Sequence, residues 1–224
     1  MFATRKTFGT LLAKQPIRFT QIDETNCGDH PHFQAGDQWA FLFEKTSDRN
    51  YSFSETNNLI SNLKKPVNAS QAQLNYKAGA ISTCAASLRE AINDEWLDYG
   101  TLVPIPPSKA PTDPLYDNRM EQVCNLIRPG NVDVRSLVVQ NQSMIASHER
   151  PPGTRITIDE LVASYSIDEN LVVPPPNYIA VVDDMLTAGT HYRAMHYVLS
   201  QRFPQAFIFG MFIARRVFLD EDDF

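Results

Sequence analysis

Residues 178–182 constrain the fold most, because they form an unbroken apolar run that leads directly into two adjacent carboxylates. Apolar runs of this length, without polar alternation, are typical of strands that are buried on both faces of a parallel sheet. Asp183 and Asp184 end the run, and a short polar loop then leads into a helix predicted over about residues 190–202. The acids are therefore expected at the carboxyl end of a parallel strand, where α/β folds bind their ligands.

The rest of the chain alternates between strand and helix patterns. Strands are predicted at 38–44, with 51–54 as a hairpin partner, and at 101–105, 136–140, 171–173 and 206–213. Helices are predicted at about 54–64, 70–95, 116–127 and 157–165. This order predicts an α/β fold with a mainly parallel, twisted sheet flanked by helices. We expect residues 71–224 to form the core and residues 1–70 to form an N-terminal extension, or hood, over the sheet.

Composition excludes several classes of protein. The chain has 20 basic and 26 acidic side chains, and four of the acids lie in the last five residues. It therefore lacks the broad positive surface on which direct nucleic-acid binding depends. The longest apolar run, residues 206–214, is too short to cross a membrane as a helix. Three cysteines without paired spacing, and no visible secretion signal, predict a cytoplasmic protein with no membrane partner.

The loop after the predicted strand has the chemistry of a sugar-phosphate site. A helix N-terminus offers free N–H groups and a partial positive charge, which favour a phosphate. Thr187 and Thr190 add hydroxyl donors, and Gly189 allows a close approach of the backbone. Asp183 and Asp184 would repel a phosphate unless they face hydroxyl groups or a metal ion. A sugar phosphate satisfies both halves of the site, because its diol meets the acids and its phosphate meets the loop.

Other interpretations of this segment are weaker. Paired aspartates also follow a strand in response-regulator receivers, but there they lie near the start of the domain, whereas only 40 residues follow Asp184. The chain contains neither G-x-x-x-x-G-K-[ST] nor G-x-G-x-x-G, the patterns of common nucleotide and dinucleotide sites. An ordinary strand-to-helix turn with solvated acids remains the alternative.

Residues 179–191, I-A-V-V-D-D-M-L-T-A-G-T-H, resemble the phosphoribosyl-pyrophosphate (PRPP) signature of type I phosphoribosyltransferases. The resemblance extends over residues 72–216 and is greatest to the competence-protein ComF branch. Residues 103–109, V-P-I-P-P-S-K, resemble the loop that contacts pyrophosphate in that family, and Y-D-N-R at 116–119 resembles a polar motif that opens the next helix. Ala188 stands where many members have a second threonine. Residues 140–155 fall where the family has a mobile catalytic loop, and residues 212–215 resemble the strand end at the rim of the base pocket.

This resemblance implies a Mg²⁺-dependent site. It assigns Asp183 and Asp184 to the ribose hydroxyls, directly or through Mg²⁺, and it assigns pyrophosphate to Ser108 and Lys109, with Arg119 as a further cation. The catalytic set is then Asp183, Asp184, Lys109 and Arg119. The residues implied to hold the 5′-phosphate are Thr187, Ala188, Gly189 and Thr190, and Met185 and Leu186 are further residues implied to bind PRPP. The implied lid would carry His148, Glu149 and Arg150. Lys77 is a further candidate cation. For both Lys77 and Arg119, the alternative is a basic side chain that is simply exposed on a helix surface.

The first 70 residues depart from the ComF pattern. They contain one cysteine, so they cannot form the cysteine-rich zinc module that many ComF-like proteins carry. Residues 27–32, C-G-D-H-P-H, offer three cysteine or histidine ligands for a metal, but the proline and the missing fourth ligand of this type favour a polar loop. His191 and His196 are five residues apart and do not share a helix face, so a structural role is expected.

Three functions follow from these observations. The first is a phosphoribosyltransferase that moves ribose 5-phosphate to or from a nitrogenous acceptor. The second is a catalytically inactive sensor or partner subunit that binds PRPP or a nucleotide, since one fold serves many functions. The third is a phosphoribosyl-like hydrolase that acts on a nucleotide and uses water as the acceptor. The sequence identifies neither the acceptor nor the oligomeric state, so a homodimer and a partner protein both remain open.

Overall fold

The computed structural model describes residues 16–144 and 155–219. Its strands are β1 (Thr20–Gln21), β2 (Trp39–Thr46), β3 (Thr101–Pro104), β4 (Asp133–Val134), β5 (Val138–Gln140), β6 (Tyr165–Ile167), β7 (Tyr178–Leu186) and β8 (Phe207–Val217). Its α-helices are α1 (Glu55–Leu63), α2 (Gln71–Ala91), α3 (Arg119–Ile127), α4 (Ile158–Ser164) and α5 (Thr190–Arg202). Short 3₁₀ helices lie at Cys27–Asp29, Trp96–Asp98 and Glu169–Leu171.

Within the described residues, six strands form the main sheet in the order β1-β2-β8-β7-β3-β4. All neighbouring strands are parallel except β1, which pairs with β2 in the antiparallel sense. The fold is thus α/β, with a mostly parallel mixed sheet flanked by helices, as the alternation of patterns predicts. Because β3, β7 and β8 are parallel neighbours, their carboxyl ends meet at one edge of the sheet.

The central strand β7 is buried on both faces, which explains its unbroken apolar sequence. Residues 179–182 have no exposed surface. Successive side chains of a strand point to opposite faces, so Ala180 and Val182 pack with α1, α2 and α3, whereas Ile179 and Val181 pack with α4 and α5. The side chains of Asp183 and Asp184, which follow, therefore also point to opposite faces of the sheet.

Two strand predictions were wrong. Residues 51–54 form a turn that leads into α1, because the buried side-chain amide of Asn57 donates to the carbonyls of Thr46, Arg49 and Asn50 and fixes the turn. Residues 171–173 are not a strand, since the chain forms a 3₁₀ helix at Glu169–Leu171, where the carboxylate of Asp168 accepts from the N–H of Asn170. The strand predicted at 136–140 exists as β5, but it pairs with β6 in a separate antiparallel sheet.

The predicted N-terminal extension contributes directly to the sheet. β2 lies between β1 and β8, so residues 39–46 belong to the main sheet and do not lie above it. α1 packs beside α2 on one face of the sheet. The boundary at residue 70 stays a prediction. In the described part of the chain, no helix is both long enough and apolar enough to cross a membrane.

Candidate functional site

Asp183 and Asp184 lie at the carboxyl end of β7 and point to opposite faces of the sheet. Asp184 is 3% exposed and lies on the face of α1, α2 and α3, whereas Asp183 is partly buried on the other face. The backbone N–H of Asp184 donates to Oδ1 of Asp183 at 2.7 Å. Two adjacent acids can therefore contact different parts of one ligand that lies across the edge of the sheet.

Asp184 is held by two cations. Lys64 Nζ lies 2.9 Å from its Oδ1, and Arg119 donates to its Oδ2 from Nε at 3.0 Å and from Nη2 at 2.7 Å. Burial acts to raise the pKa of Asp184, but Lys64 and Arg119 outweigh it and hold the pKa well below its usual range. Asp184 is thus a fixed anion of the site.

The pKa of Asp183 is shifted in the opposite direction. Burial, followed by the negative charge of Asp184, raises the pKa of Asp183 to about 7. Among the described residues, only the N–H of Asp184 donates to its carboxyl group, and this bond uses Oδ1. An anion at Asp183 therefore has no paired cation of its own among the described residues, which suits a carboxylate that binds a ligand or a cation.

A second layer of charge positions Arg119. Asp117 Oδ2 lies 2.8 Å from Arg119 Nη1 and 2.6 Å from Lys77 Nζ. Lys77 also donates to the carbonyl of Lys65 at 2.7 Å and is 5% exposed. Lys77 is therefore a buried structural cation, contrary to the exposed base usual at such a position, and it supports the arginine from a distance.

The acids lie on the wall of a cavity of about 600 Å³. Of the site residues predicted from the sequence, the cavity is lined by Ser108, Lys109, Arg119, Asp183, Asp184, Met185 and Thr187. Four others, Leu186, Ala188, Gly189 and Thr190, are not part of its lining. Leu186 instead lies in the core and is 1% exposed.

The N-terminal segment covers one side of the loop after β7. The ring of His30 bonds the carbonyl of Thr187 through Nδ1, and the N–H of His32 donates to the carbonyl of Ala188 at 3.1 Å. A trans peptide directs its C=O and N–H to opposite sides. The N–H groups of Ala188 and Gly189 therefore point away from this segment. The ring of His30 is thus bound to this loop. Within the described residues, no group of three His, Cys, Asp or Glu side chains, at residues 27–32 or elsewhere, could hold a metal ion.

Gly189 is required by the backbone and by packing. It caps α5 with φ +87°, a left-handed conformation that favours glycine. A Cβ at this position would lie 2.5 Å from the indole of Trp39. The close approach expected at Gly189 is therefore made by Trp39 in the described structure.

The predicted pyrophosphate loop is joined to the segment before residue 145. The N–H of Met144 donates to the carbonyl of Ser108 at 2.7 Å, and the N–H of Ala110 donates to Ser143 Oγ at 3.1 Å. Lys109 therefore lies at the junction of the loop and the segment that continues towards the predicted lid. The lid residues His148, Glu149 and Arg150, like the acidic tail, lie outside the described residues.

His191 has a place in the site that the sequence did not indicate. It lines the cavity, and its Nδ1 lies 3.3 Å from the hydroxyl of Tyr165. Burial lowers the pKa of His191 to about 4, so its imidazole is neutral near pH 7. His196, in contrast, packs against the ring of Tyr192.

Sequence reasoning also missed Lys64, and it included Gln140 only as the first residue of the predicted mobile loop. Both line the cavity, but Lys64 comes from the end of α1 in the N-terminal segment, and Gln140 ends β5. The only local signal at Lys64 is a pair of lysines that precede Pro66 at a helix end, and the only signal at Gln140 is its position at the start of that loop. Neither the family models nor the curated proteins gave a match to this chain.

Proposed function

We propose that this chain binds PRPP with Mg²⁺ in the cavity and is a Mg²⁺-dependent phosphoribosyltransferase of the type I fold. The observation that carries the proposal is the meeting of two separate segments on one cavity wall. One is the end of β7 with its following loop, which contributes Asp183, Asp184 and Thr187, and the other is Ser108–Lys109 after β3. In a parallel α/β sheet, such an edge is the usual place of a ligand.

The loop after β7 suits the 5′-phosphate. The first N–H groups of α5 have no partner within the helix, and its N-terminus carries partial positive charge. The N–H groups of Ala188 and Gly189 point away from the N-terminal segment and add donors on the other side of the loop. Thr187 is exposed on the cavity wall and can contribute its hydroxyl group. A phosphate at this loop is therefore supported by backbone donors, which need no cationic side chain.

The donor set at the acids fits Mg²⁺. This cation prefers oxygen ligands and keeps several waters, and it binds through one or two carboxylates together with substrate phosphates. Asp183 has a free carboxylate oxygen among the described contacts, whereas both oxygens of Asp184 are held by Lys64 and Arg119. Asp183 would therefore be the direct ligand, with Asp184 holding the cations and a ribose hydroxyl. When bound, Mg²⁺ would neutralise charge on the pyrophosphate.

The cations of the cavity suit a pyrophosphate leaving group. In the transfer, a nitrogen of the acceptor forms a bond to C1 of the ribose, the bond from C1 to pyrophosphate breaks, and the acceptor nitrogen loses its proton. Lys64, Lys109 and Arg119 all lie on the cavity wall. Positive groups placed where charge develops are a large source of rate enhancement.

The test is Mg²⁺-dependent release of pyrophosphate from PRPP, measured with a panel of nitrogenous bases. We expect release by the wild-type chain and none by the double variant Asp183→Asn/Asp184→Asn, with the helical circular dichroism signal of both proteins retained. PRPP binding without pyrophosphate release across the panel would favour the sensor. Release of ribose 5-phosphate and a free base from a nucleotide, with water as the acceptor, would favour the hydrolase.

A further inference from the structure

Gln140 carries a buried amide that has no partner. The residue is 3% exposed, and its Nε2 makes no hydrogen bond in the described part of the chain. Its backbone is engaged in the β5–β6 pair, where Gln140 lies opposite Tyr165. A buried amide without a partner is unfavourable, and most buried polar groups in proteins are hydrogen-bonded. The unpaired amide of Gln140 is therefore suited to bind a ligand.

The side chain of Gln140 belongs to the cavity wall. Residues of a strand alternate between two faces, and in this segment Ser136, Val138 and Gln140 line the cavity, whereas Leu137 and Val139 do not. Opposite Gln140, Tyr165 brings its hydroxyl to 3.3 Å from Nδ1 of His191, which lines the same cavity. The amide therefore lies on the His191 side of the cavity.

The cavity wall on the face of the sheet that carries Gln140 is mainly apolar, apart from Asp183. Val138 and Leu161, each 1% exposed, line the cavity with Met144 and Ile156, and all four pack in the core on this face of the sheet. The charged residues of the lining come from other segments: Lys64, Lys109, Asp117, Arg119, Glu121, Asp183 and Asp184. The described cavity thus has a charged part, in which the sugar phosphate is proposed to bind, and an apolar wall with one amide.

We propose that Gln140 determines acceptor specificity, and that it binds a carbonyl oxygen or ring nitrogen of a flat, uncharged acceptor packed against the apolar wall. The inference rests on the proposed function, because it assumes that PRPP fills the charged part of the cavity. A single hydrogen bond in an apolar pocket fixes the orientation of a ligand and selects for its polar group. Phosphate does not suit this wall, since an anion beside Val138 and Leu161 would lose its hydration without a paired cation.

The experiment compares wild type with Gln140→Leu, which has a similar size but no amide. Each protein is saturated with Mg²⁺ and PRPP and is titrated with benzamide, hypoxanthine and nicotinamide as neutral probes and with benzoate as the anion matched to benzamide. We expect the wild type to bind at least one neutral probe and to bind benzamide more tightly than benzoate. We expect Gln140→Leu to bind that probe at least tenfold more weakly, with its PRPP affinity unchanged. The side-chain amide NMR signal that is absent from the Gln140→Leu spectrum should shift in wild type when the probe is added.

A second variant keeps the test decisive if Gln140→Leu does not fold. Gln140→Glu has the same shape but presents oxygens in place of the N–H donor, so it should also lose the neutral probe. Unchanged probe affinity in either variant would overturn the inference, and so would preference for benzoate or a parallel loss of PRPP affinity. If the protein binds PRPP but none of the neutral probes, the inference is also overturned, whereas a PRPP-binding sensor still agrees with the result. Absence of PRPP binding would instead refute the proposed function itself.

Discussion

Replacing Asp183 by asparagine should stabilise the protein, although it removes a residue proposed to bind the ligand. Burial and the charge of Asp184 raise the pKa of Asp183 to about 7, from 3.8. An acid whose pKa is raised by folding opposes folding as the pH rises above its unfolded value, and one pKa unit corresponds to about 1.4 kcal/mol. The penalty at Asp183 is therefore up to about 4 kcal/mol at pH 8 and below about 2 kcal/mol at pH 5.

Asparagine keeps the shape of the side chain and its acceptor Oδ1, which the N–H of Asp184 uses at 2.7 Å. The variant should thus lose only the charge. We expect Asp183→Asn to raise the free energy of unfolding by about 2–4 kcal/mol at pH 8, with a gain that shrinks as the pH falls towards 4. Functional acids that destabilise their own fold are a known source of such gains.

Asp184→Asn is the matched control with the opposite sign. Its pKa is lowered, so its charge adds stability that is present above pH 4 and is lost as the pH falls through its folded value. Removing it leaves Lys64 without its carboxylate and Arg119 with Asp117 as its one described carboxylate, at a cost of about 3 kcal/mol near neutral pH. Urea unfolding between pH 5 and 8, followed by tryptophan fluorescence, measures both variants. A loss of stability in Asp183→Asn, or a gain that does not vary with pH, would refute the reasoning.

Three further predictions concern the support of the site. Gly189→Ala should lower the free energy of unfolding by about 2 kcal/mol or more, because Gly189 has φ +87° and its added Cβ would meet the indole of Trp39. Gly36→Ala is the control, since Gly36 has φ +94° with open space around it, and should cost about 1 kcal/mol. Equal losses of stability in thermal unfolding would contradict the packing role of Gly189. Lys77→Met should cost about 3 kcal/mol in urea unfolding, and Asp117→Asn should cost less in that background than in wild type; additive losses would mean that the pair is not coupled. Lys64→Ala should cost about 1 kcal/mol of stability but weaken Mg·PRPP binding roughly tenfold in a titration; unchanged affinity would remove this lysine from the site.

The sequence predicted the central strand and its helix well because the signals there are local. An apolar run that ends in two acids needs no distant information, and the predicted helix 190–202 agrees with α5 (Thr190–Arg202). The prediction was wrong at residues 171–173, where three apolar residues matched a strand, but Asp168 starts a 3₁₀ helix just before them. Short apolar runs do not distinguish a strand from a turn.

The environment of the acids could not be predicted because it depends on contacts between distant residues. Lys64 and Arg119 are far from Asp184 in sequence, and nothing in their neighbours specifies that they meet on one carboxylate. Likewise, Trp39 packs against Gly189 only because β2 joins the sheet beside β8. The sequence indicated the two acids as candidates, whereas contacts between distant residues pair Asp184 with two cations and, among the described residues, give Asp183 none.

Isothermal titration of PRPP, with and without Mg²⁺, tests the proposed binding site most directly. We predict saturable binding of one PRPP per chain that requires Mg²⁺ and is lost in Asp183→Asn/Asp184→Asn, while the circular dichroism spectrum of that variant remains helical. The absence of binding to the wild-type chain, or equal binding by the double variant, would contradict a PRPP site at these two acids.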